Sequence, residues 1–362
     1  MLDIKHTICP SCSVGCGLNI VSKDGAVVGT YPYKRHPINE GKNCLNGRNS
    51  ILQFDNQIEK PSMVKNGELE ESDYETVLKL IKDQLASIDA SELAIICSGN
   101  STNEELDKIK EFADGLGCEK IGFYGYNFPN FSADVASYDD IAGAGTILVI
   151  GDIYRENPLL ARRVVLSKEN GAKLINLDDV EKSITSLNAD EFIQFDGHLE
   201  DKIDAVKGSL DENSIIIANK ICCKDDFALL ESLSADTGAK LLPVFNAPNM
   251  KGAMNRFDSW DAEEVKNIIG DSKVLIVVKD NPLGYISKDD IKGKGFIVNI
   301  SNEDNAFAKI SDVVLPGKSW AEKAGTFTNC EGLEQCFEVS AEIENDNLSE
   351  MEIFDELAWY RW

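Results

Sequence analysis

Apolar and polar positions along this chain alternate in two rhythms. Over 73–87, Tyr74, Val77, Leu78, Ile81 and Leu85 fall on one helical face, with Ser72 as the expected N-cap. The next apolar block, 93–97, is short and continuous, as a buried strand is. From there the two patterns take turns. Helices are predicted over 103–116, ending near Gly117, and over 159–169, 225–237 and 262–269. Strands are predicted over 146–150, 173–176, 215–218, 240–244, 274–278 and 296–300. Short apolar strands between amphipathic helices predict an α/β fold with parallel sheets covered by helices on both faces. Glycines at strand ends (Gly99, Gly151, Gly284) mark where doubly wound sheets open their ligand crevices.

The first 56 residues read differently. Residues 7–8 and 18–21 are expected as short strands around a cysteine loop, and Asp24-Gly25 turns the chain into a return strand over 26–30. That gives a small module over 1–56, an α/β body over 57–340 and a C-terminal helix and tail over 341–362.

The module carries the candidate chemistry. Cys9, Cys12 and Cys16 lie within eight residues, and Cys44 follows at a distance. Three thiolates in one compact loop with a remote fourth suit a cubane iron–sulfur cluster. Zinc is the competing reading, though its ligands usually come as two short pairs. Gly15 and Gly17 are expected to let the backbone bend close to the sulfides.

Charge and the remaining cysteines narrow the picture. The formal charge of −26 argues against nucleic acid, whose phosphates need clustered lysine and arginine. The acidity is spread over helical surfaces and reads as a solvated exterior. Six further cysteines (Cys97, Cys118, Cys222, Cys223, Cys330 and Cys336) show no secreted-domain spacing, and thiolates kept on iron belong in a reducing, cytoplasmic compartment. No charged leader with an apolar stretch precedes the motif, so secretory export is not expected. No apolar run reaches the roughly 18 residues of a membrane span.

Residues 9–48 resemble the N-terminal cluster domain of molybdopterin oxidoreductases, most closely the alpha subunit of archaeal-type formate dehydrogenases. Other segments follow in that family's order. Residues 137–141 with 147–151 and 157–163 look like its segment for the first pterin, and 249–253 like its Asn-rich turn. Asp280-Asn281-Pro282 resembles a Gly-Glu-Asn-Pro loop, and 311–316 with 320–329 and Glu331 looks like the family's most recognisable stretch. The resemblance implies an N-terminal 4Fe-4S module packed on two doubly wound parallel sheets. It makes Cys9, Cys12, Cys16 and Cys44 the cluster ligands. It also implies contacts to a molybdopterin guanine dinucleotide, carrying molybdenum or tungsten, from Asp152, Asn157, Asn281, Gly325, Thr326, Thr328 and Asn329. Helix capping explains Asp139 and Asp140, and a turn explains Asn157-Pro158, as well as ligand contact does.

The chain departs from the family at several points. Asn46 stands where a lysine commonly lies between cluster and pterin, with Arg48 nearby. Between Asn103 and Tyr138, where the family's metal ligand should lie, the only thiol is Cys118, with no adjacent histidine; its plainer reading is a small hydrophobe at a helix-to-strand turn. Ser132 and Ser137 there are explained by loop and turn chemistry. Leu177-Asp178-Asp179 replaces Asp-Pro-Arg, and Gly332-Leu333 replaces two arginines. The sequence stops where the family enters its C-terminal dinucleotide-binding barrel. The resemblance therefore implies a formate-dehydrogenase-like oxidoreductase subunit that works with iron–sulfur or flavin subunits and with a separate dinucleotide-binding-domain protein. The alternative is a non-catalytic electron-transfer or assembly subunit resembling the large cluster-bearing subunit of NADH dehydrogenase.

Overall fold

The alternating pattern becomes two sheets in the computed structural model, which describes residues 2–131, 134–291, 293 and 295–358. The first sheet has five parallel strands in the spatial order Glu191–Gln194, Lys173–Asp178, Thr146–Ile150, Ser214–Ala218, Lys240–Pro243. The second has eight. Asp258–Trp260, Lys120–Tyr124, Leu93–Cys97, Val274–Val278, Phe296–Ile300 and Val313–Leu315 run parallel, and Ser62–Lys65 and Glu68–Glu71 add an antiparallel edge. Every residue of Leu93–Cys97, Ser214–Ala218 and Val274–Val278 is buried, which is why these strands read as unbroken apolar runs.

Each sheet has one place where the winding reverses. In the first, the chain goes to one side of Thr146–Ile150 with Lys173–Asp178 and to the other with Ser214–Ala218. In the second, the reversal lies between Leu93–Cys97 and Val274–Val278. The loops leaving neighbouring strands diverge there and open a crevice at the carboxyl edge.

The N-terminal module is a three-stranded antiparallel sheet of Leu2–Ile8, Gly17–Lys23 and Ala26–Pro32. Its turn has both Asp24 (φ 51°) and Gly25 (φ 84°) left-handed, the geometry that matches strand twist. The first strand is longer than the two residues expected: its outer half alternates through Leu2 and Ile4, which lie exposed. The Trp320 indole donates to the Ile8 carbonyl at 3.1 Å, and Phe54 packs on the same ring.

Caps set the helix boundaries. The helix Tyr74–Ala86 is capped by Asp73, whose carboxylate accepts from Thr76 N at 2.8 Å; the expected cap, Ser72, instead donates its own N–H to Pro61 O. Asn103–Leu116 ends at Gly117 as the sequence predicts. The C-terminal helix Glu350–Ala358 packs on Asn103–Leu116, with the Phe112 and Phe354 rings 5.1 Å apart. Among the described residues no helix is long and apolar enough to cross a membrane.

Candidate functional site

The cysteine loop is closed by Cys9 N donating to Cys16 O at 2.8 Å. Cys44 reaches it as the N-cap of the short helix Leu45–Asn49. Cys9 and Cys16 are buried, Cys12 and Cys44 partly so. Burial, then the neighbouring Cys12 sulfur, pushes the Cys9 thiol up to about 12. Burial likewise takes Cys12 to about 11, and puts Cys16 well above the usual thiol range. Four mutually repelling sulfurs in a dry pocket become thiolates when cations accompany them, which is the chemistry of a metal centre. Three thiols on one short loop with a distant fourth suit the separate corners of a cubane better than a zinc ion, whose ligands usually come as two short pairs.

Two of the loop's glycines have another purpose than the one expected. A Cβ on Gly15 (φ +78°) would lie 2.0 Å from Gln335 Oε1, and one on Gly17 would run into the His36 ring. Their space is taken by protein side chains. The glycine that lies at a ligand is Gly47, where a Cβ would sit 3.4 Å from Cys9 Sγ.

The loop is wedged between the two sheets. Ser13 N donates to Phe245 O and Phe245 N to Ser13 Oγ, both at 2.9 Å, which fixes it beyond the strand Lys240–Pro243. On one side, Pro10 and Ser11 help to wall a cleft of about 550 Å³ at the reversal point of the eight-stranded sheet. Asn100 follows one central strand there, Lys279, Asp280 and Asn281 follow the other, and Asn281 Oδ1 is buried without a partner. Burial raises Asp280 to about 6, against bonds from the Tyr285 hydroxyl (2.6 Å) and Asn281 N. Tyr285 also stacks on Tyr124 at 3.8 Å. A carboxyl titrating near 6 in a cleft can take or give a proton close to neutrality.

On the other side lies the crevice of the five-stranded sheet. Asn157 is buried beside Cys12, whose thiolate its side chain favours, and its Oδ1 accepts from Asn219 Nδ2 at 3.2 Å. Asn219 Oδ1 and Asp178 Oδ2 are buried and unpartnered. Gly151 (φ +98°) keeps this mouth clear, since a Cβ would sit 2.2 Å from Asn219 Oδ1. Each stranded polar atom costs about 1–3 kcal/mol unless something bonds it. Both crevices thus fit a polar heterocycle with donors and acceptors on its rim.

The other residues singled out in the sequence have protein partners. Asp152 accepts from Ile184 N, Thr185 N and Thr185 Oγ1 at 2.7–3.1 Å, bracing the loop beside the crevice. Gly325 packs on Thr102, while Thr326 is held by Glu104 through its N–H (2.9 Å) and hydroxyl (2.7 Å). Thr328 N donates to Asn249 Oδ1 at 2.6 Å and its hydroxyl meets Asn103. Asn329 Oδ1 accepts from Glu331 N and Leu333 N. Asp140 caps the helix Tyr138–Gly143 together with Ser137. Asn46 reaches Glu156 O at 3.4 Å, next to Asn157. Cys118 is buried, with its sulfur 3.4 Å from Leu93 O, and packs as a small hydrophobe. Ser132 lies outside the described residues.

Two features were not anticipated. Cys330 joins the wall around the cluster loop: its N–H donates to Ser13 O at 2.8 Å, its sulfur lies 3.2 Å from the Tyr138 hydroxyl, and burial pushes it up to about 12. Behind the cleft, Lys279 and Lys323 interleave with Glu105 and Glu350, all four buried. Glu350 lies 3.0 Å from Lys279 and 3.2 Å from Lys323, and Glu105 contacts both ammonium groups. Burial alone would raise Glu105, but the two cations outweigh it and hold the carboxyl well below the usual range.

Comparison with known proteins agrees with this geometry. Residues 2–56 match the molybdopterin oxidoreductase Fe4S4 domain, and residues 239–360 match the molybdopterin oxidoreductase family. The chain is 28% identical to the F420-dependent formate dehydrogenase 1 subunit alpha of Methanococcus maripaludis, over 91% of this chain and 66% of that protein. It is 26% identical to the F420-dependent formate dehydrogenase subunit alpha of Methanocaldococcus jannaschii, over 98% and 70%. The chain thus spans about two thirds of the length of these relatives. Among solved structures, acetylene hydratase from Pelobacter acetylenicus shares the fold, with a TM-score of 0.70 at 14% identity over 98% of this chain and 68% of that one.

Proposed function

This chain belongs to the molybdopterin oxidoreductase family, and we propose that it acts as a formate-dehydrogenase-like subunit passing electrons through one 4Fe-4S cluster. One observation carries the reading. The cysteine loop is lodged between two reversal-point crevices, each with buried polar atoms awaiting a partner. Cys9, Cys12, Cys16 and Cys44 would hold the cluster, while Asn157 and Asn281 would bond the pterin rims on either side. Asp152, Gly325, Thr326, Thr328 and Asn329 would support those walls. When bound, the pterin-held molybdenum or tungsten supplies the two-electron step of formate oxidation.

The chain's own residues do the rest. The cluster loop touches both crevices, so a cluster held there would be the nearest acceptor for an electron leaving either. Asp280, poised near 6 beside Asn281, would take up the proton released as formate becomes carbon dioxide. The electrons would leave to iron–sulfur or flavin partner subunits. Iron-bound thiolates suit the cytoplasm. The relatives are alpha subunits of formate dehydrogenases, which favours this reading over a non-catalytic assembly subunit.

Protein purified anaerobically with its partners should contain four irons and a stoichiometric amount of molybdenum or tungsten, and should reduce a viologen dye with formate. Zinc in place of iron, or neither heavy metal, would contradict the proposal. Cys118→Ala should leave metal content unchanged; a loss of molybdenum or tungsten would make Cys118 the ligand after all.

A further inference from the structure

A second set of metal-type ligands lies away from the cysteine loop, in the loops before two neighbouring helices. His198 lies ahead of the helix Glu200–Lys207; Cys223 and Asp226 stand at the cap and third position of Lys224–Thr237. Cys223 occupies a position where helices favour serine, threonine or aspartate, yet its sulfur makes no capping bond. It faces His198 Nδ1 instead, at 3.6 Å.

Asp226 supplies the rigid part. Its side chain is only 2% exposed, and its oxygens accept from Leu199 N (3.0 Å) and Cys222 N (3.1 Å), so the carboxylate is locked across both loops. Each oxygen keeps a further lone pair. Oδ1 lies 3.9 Å from His198 Nδ1, and the three ligand atoms all fall within 4.8 Å of one another. A tetrahedral zinc with bonds of about 2.0–2.3 Å would draw such atoms to about 3.4–3.6 Å, a small movement from what is seen. His198 is 72% exposed, which leaves an entry path and a free fourth position. An exposed histidine–aspartate pair at this distance has little stabilising value by itself, so it does not account for the cysteine.

We propose that His198, Cys223 and Asp226 bind one divalent cation of the zinc class, distinct from the cluster, with water completing the coordination. The cation would join the loops that precede the helices Glu200–Lys207 and Lys224–Thr237. One sulfur, one imidazole nitrogen and one carboxylate oxygen select zinc over calcium or magnesium, which prefer oxygen alone.

The test uses the full chain, anaerobic and carrying four irons, stripped of loose metal with a chelator and titrated with zinc chloride. One zinc per chain should be retained through gel filtration, with one sulfur and otherwise nitrogen and oxygen in its X-ray absorption spectrum. Cys223→Ser and His198→Ala should each weaken binding at least about 100-fold, since even outer partners of a metal site cost 10–100-fold. Cys222→Ser should retain it, and iron content should not change in any variant. Zinc should also raise the unfolding temperature of the parent protein and not of His198→Ala. No retained zinc, binding as tight as the parent's in either the His198 or the Cys223 variant, or an all-sulfur zinc shell would each overturn the proposal.

Discussion

Cys330 shows what a single residue gains from position. Five cysteines surround the cluster site, but four come from the N-terminal module and one arrives on a strand end beyond residue 325. Cys44→Ser should strip or degrade the cluster, lowering iron per chain and altering the electron resonance spectrum. Cys330→Ala should keep all four irons, because its sulfur already has the Tyr138 hydroxyl as a partner. Iron loss in Cys330→Ala and none in Cys44→Ser would reverse the assignment. The four proposed ligands stand out in the sequence because the spacing of three of them is local and chemically restrictive. Cys330 does not, because only the folded chain brings Ser13 to it. The hydroxyls of 325–329 illustrate a related limit: a threonine reads the same whether it serves a ligand or a protein neighbour. The neighbours here, Asn103, Glu104 and Asn249, are remote in sequence.

Among the elements, the helix Tyr138–Gly143 joins the cluster wall to the sheet. Ser137 and Asp140 cap it reciprocally, and Lys240 from the edge strand bonds Asp140 at 2.6 Å. That ammonium, with the Ser137 N–H, lowers the Asp140 carboxyl from near 3.8 to about 2. A group depressed on folding stabilises the fold fully above its unfolded value and loses that contribution as pH falls through the folded one. Asp140→Asn should therefore cost about 1 kcal/mol at pH 7. The gap from the parent should close as pH falls from about 4 towards 2, measured by urea titration across pH; a gap that widened on acidification would refute it. Helix and strand positions were largely legible, because the 3.6- and 2-residue rhythms are set by which face is buried. Boundaries slipped where chemistry competed at one spot, as with Ser72 and Asp73, or where alternating apolar residues lie exposed, as Leu2 and Ile4 do.

At the scale of the molecule, four buried charges tie the C-terminal helix to the floor of the cleft. Breaking such a set from one side leaves a charge uncompensated and costs about 3–5 kcal/mol. Lys323→Met should accordingly lower the urea midpoint sharply, whereas Lys323→Met with Glu350→Leu should recover part of the loss. A single variant as stable as the parent would show the network contributes nothing. None of this was visible in the sequence, since lysine and glutamate normally read as solvated surface. The reversal points were legible only as glycines at strand ends; strand order needed the structure. The wedged cysteine loop also constrains biogenesis. Its backbone is hydrogen-bonded to Phe245 and Cys330, which come from well-separated parts of the chain, so its shape is shared by everything that lines the crevices. Iron bound by the four thiols would have to reach them before those pieces close around the loop, and such a cluster would then precede anything loaded into the crevices.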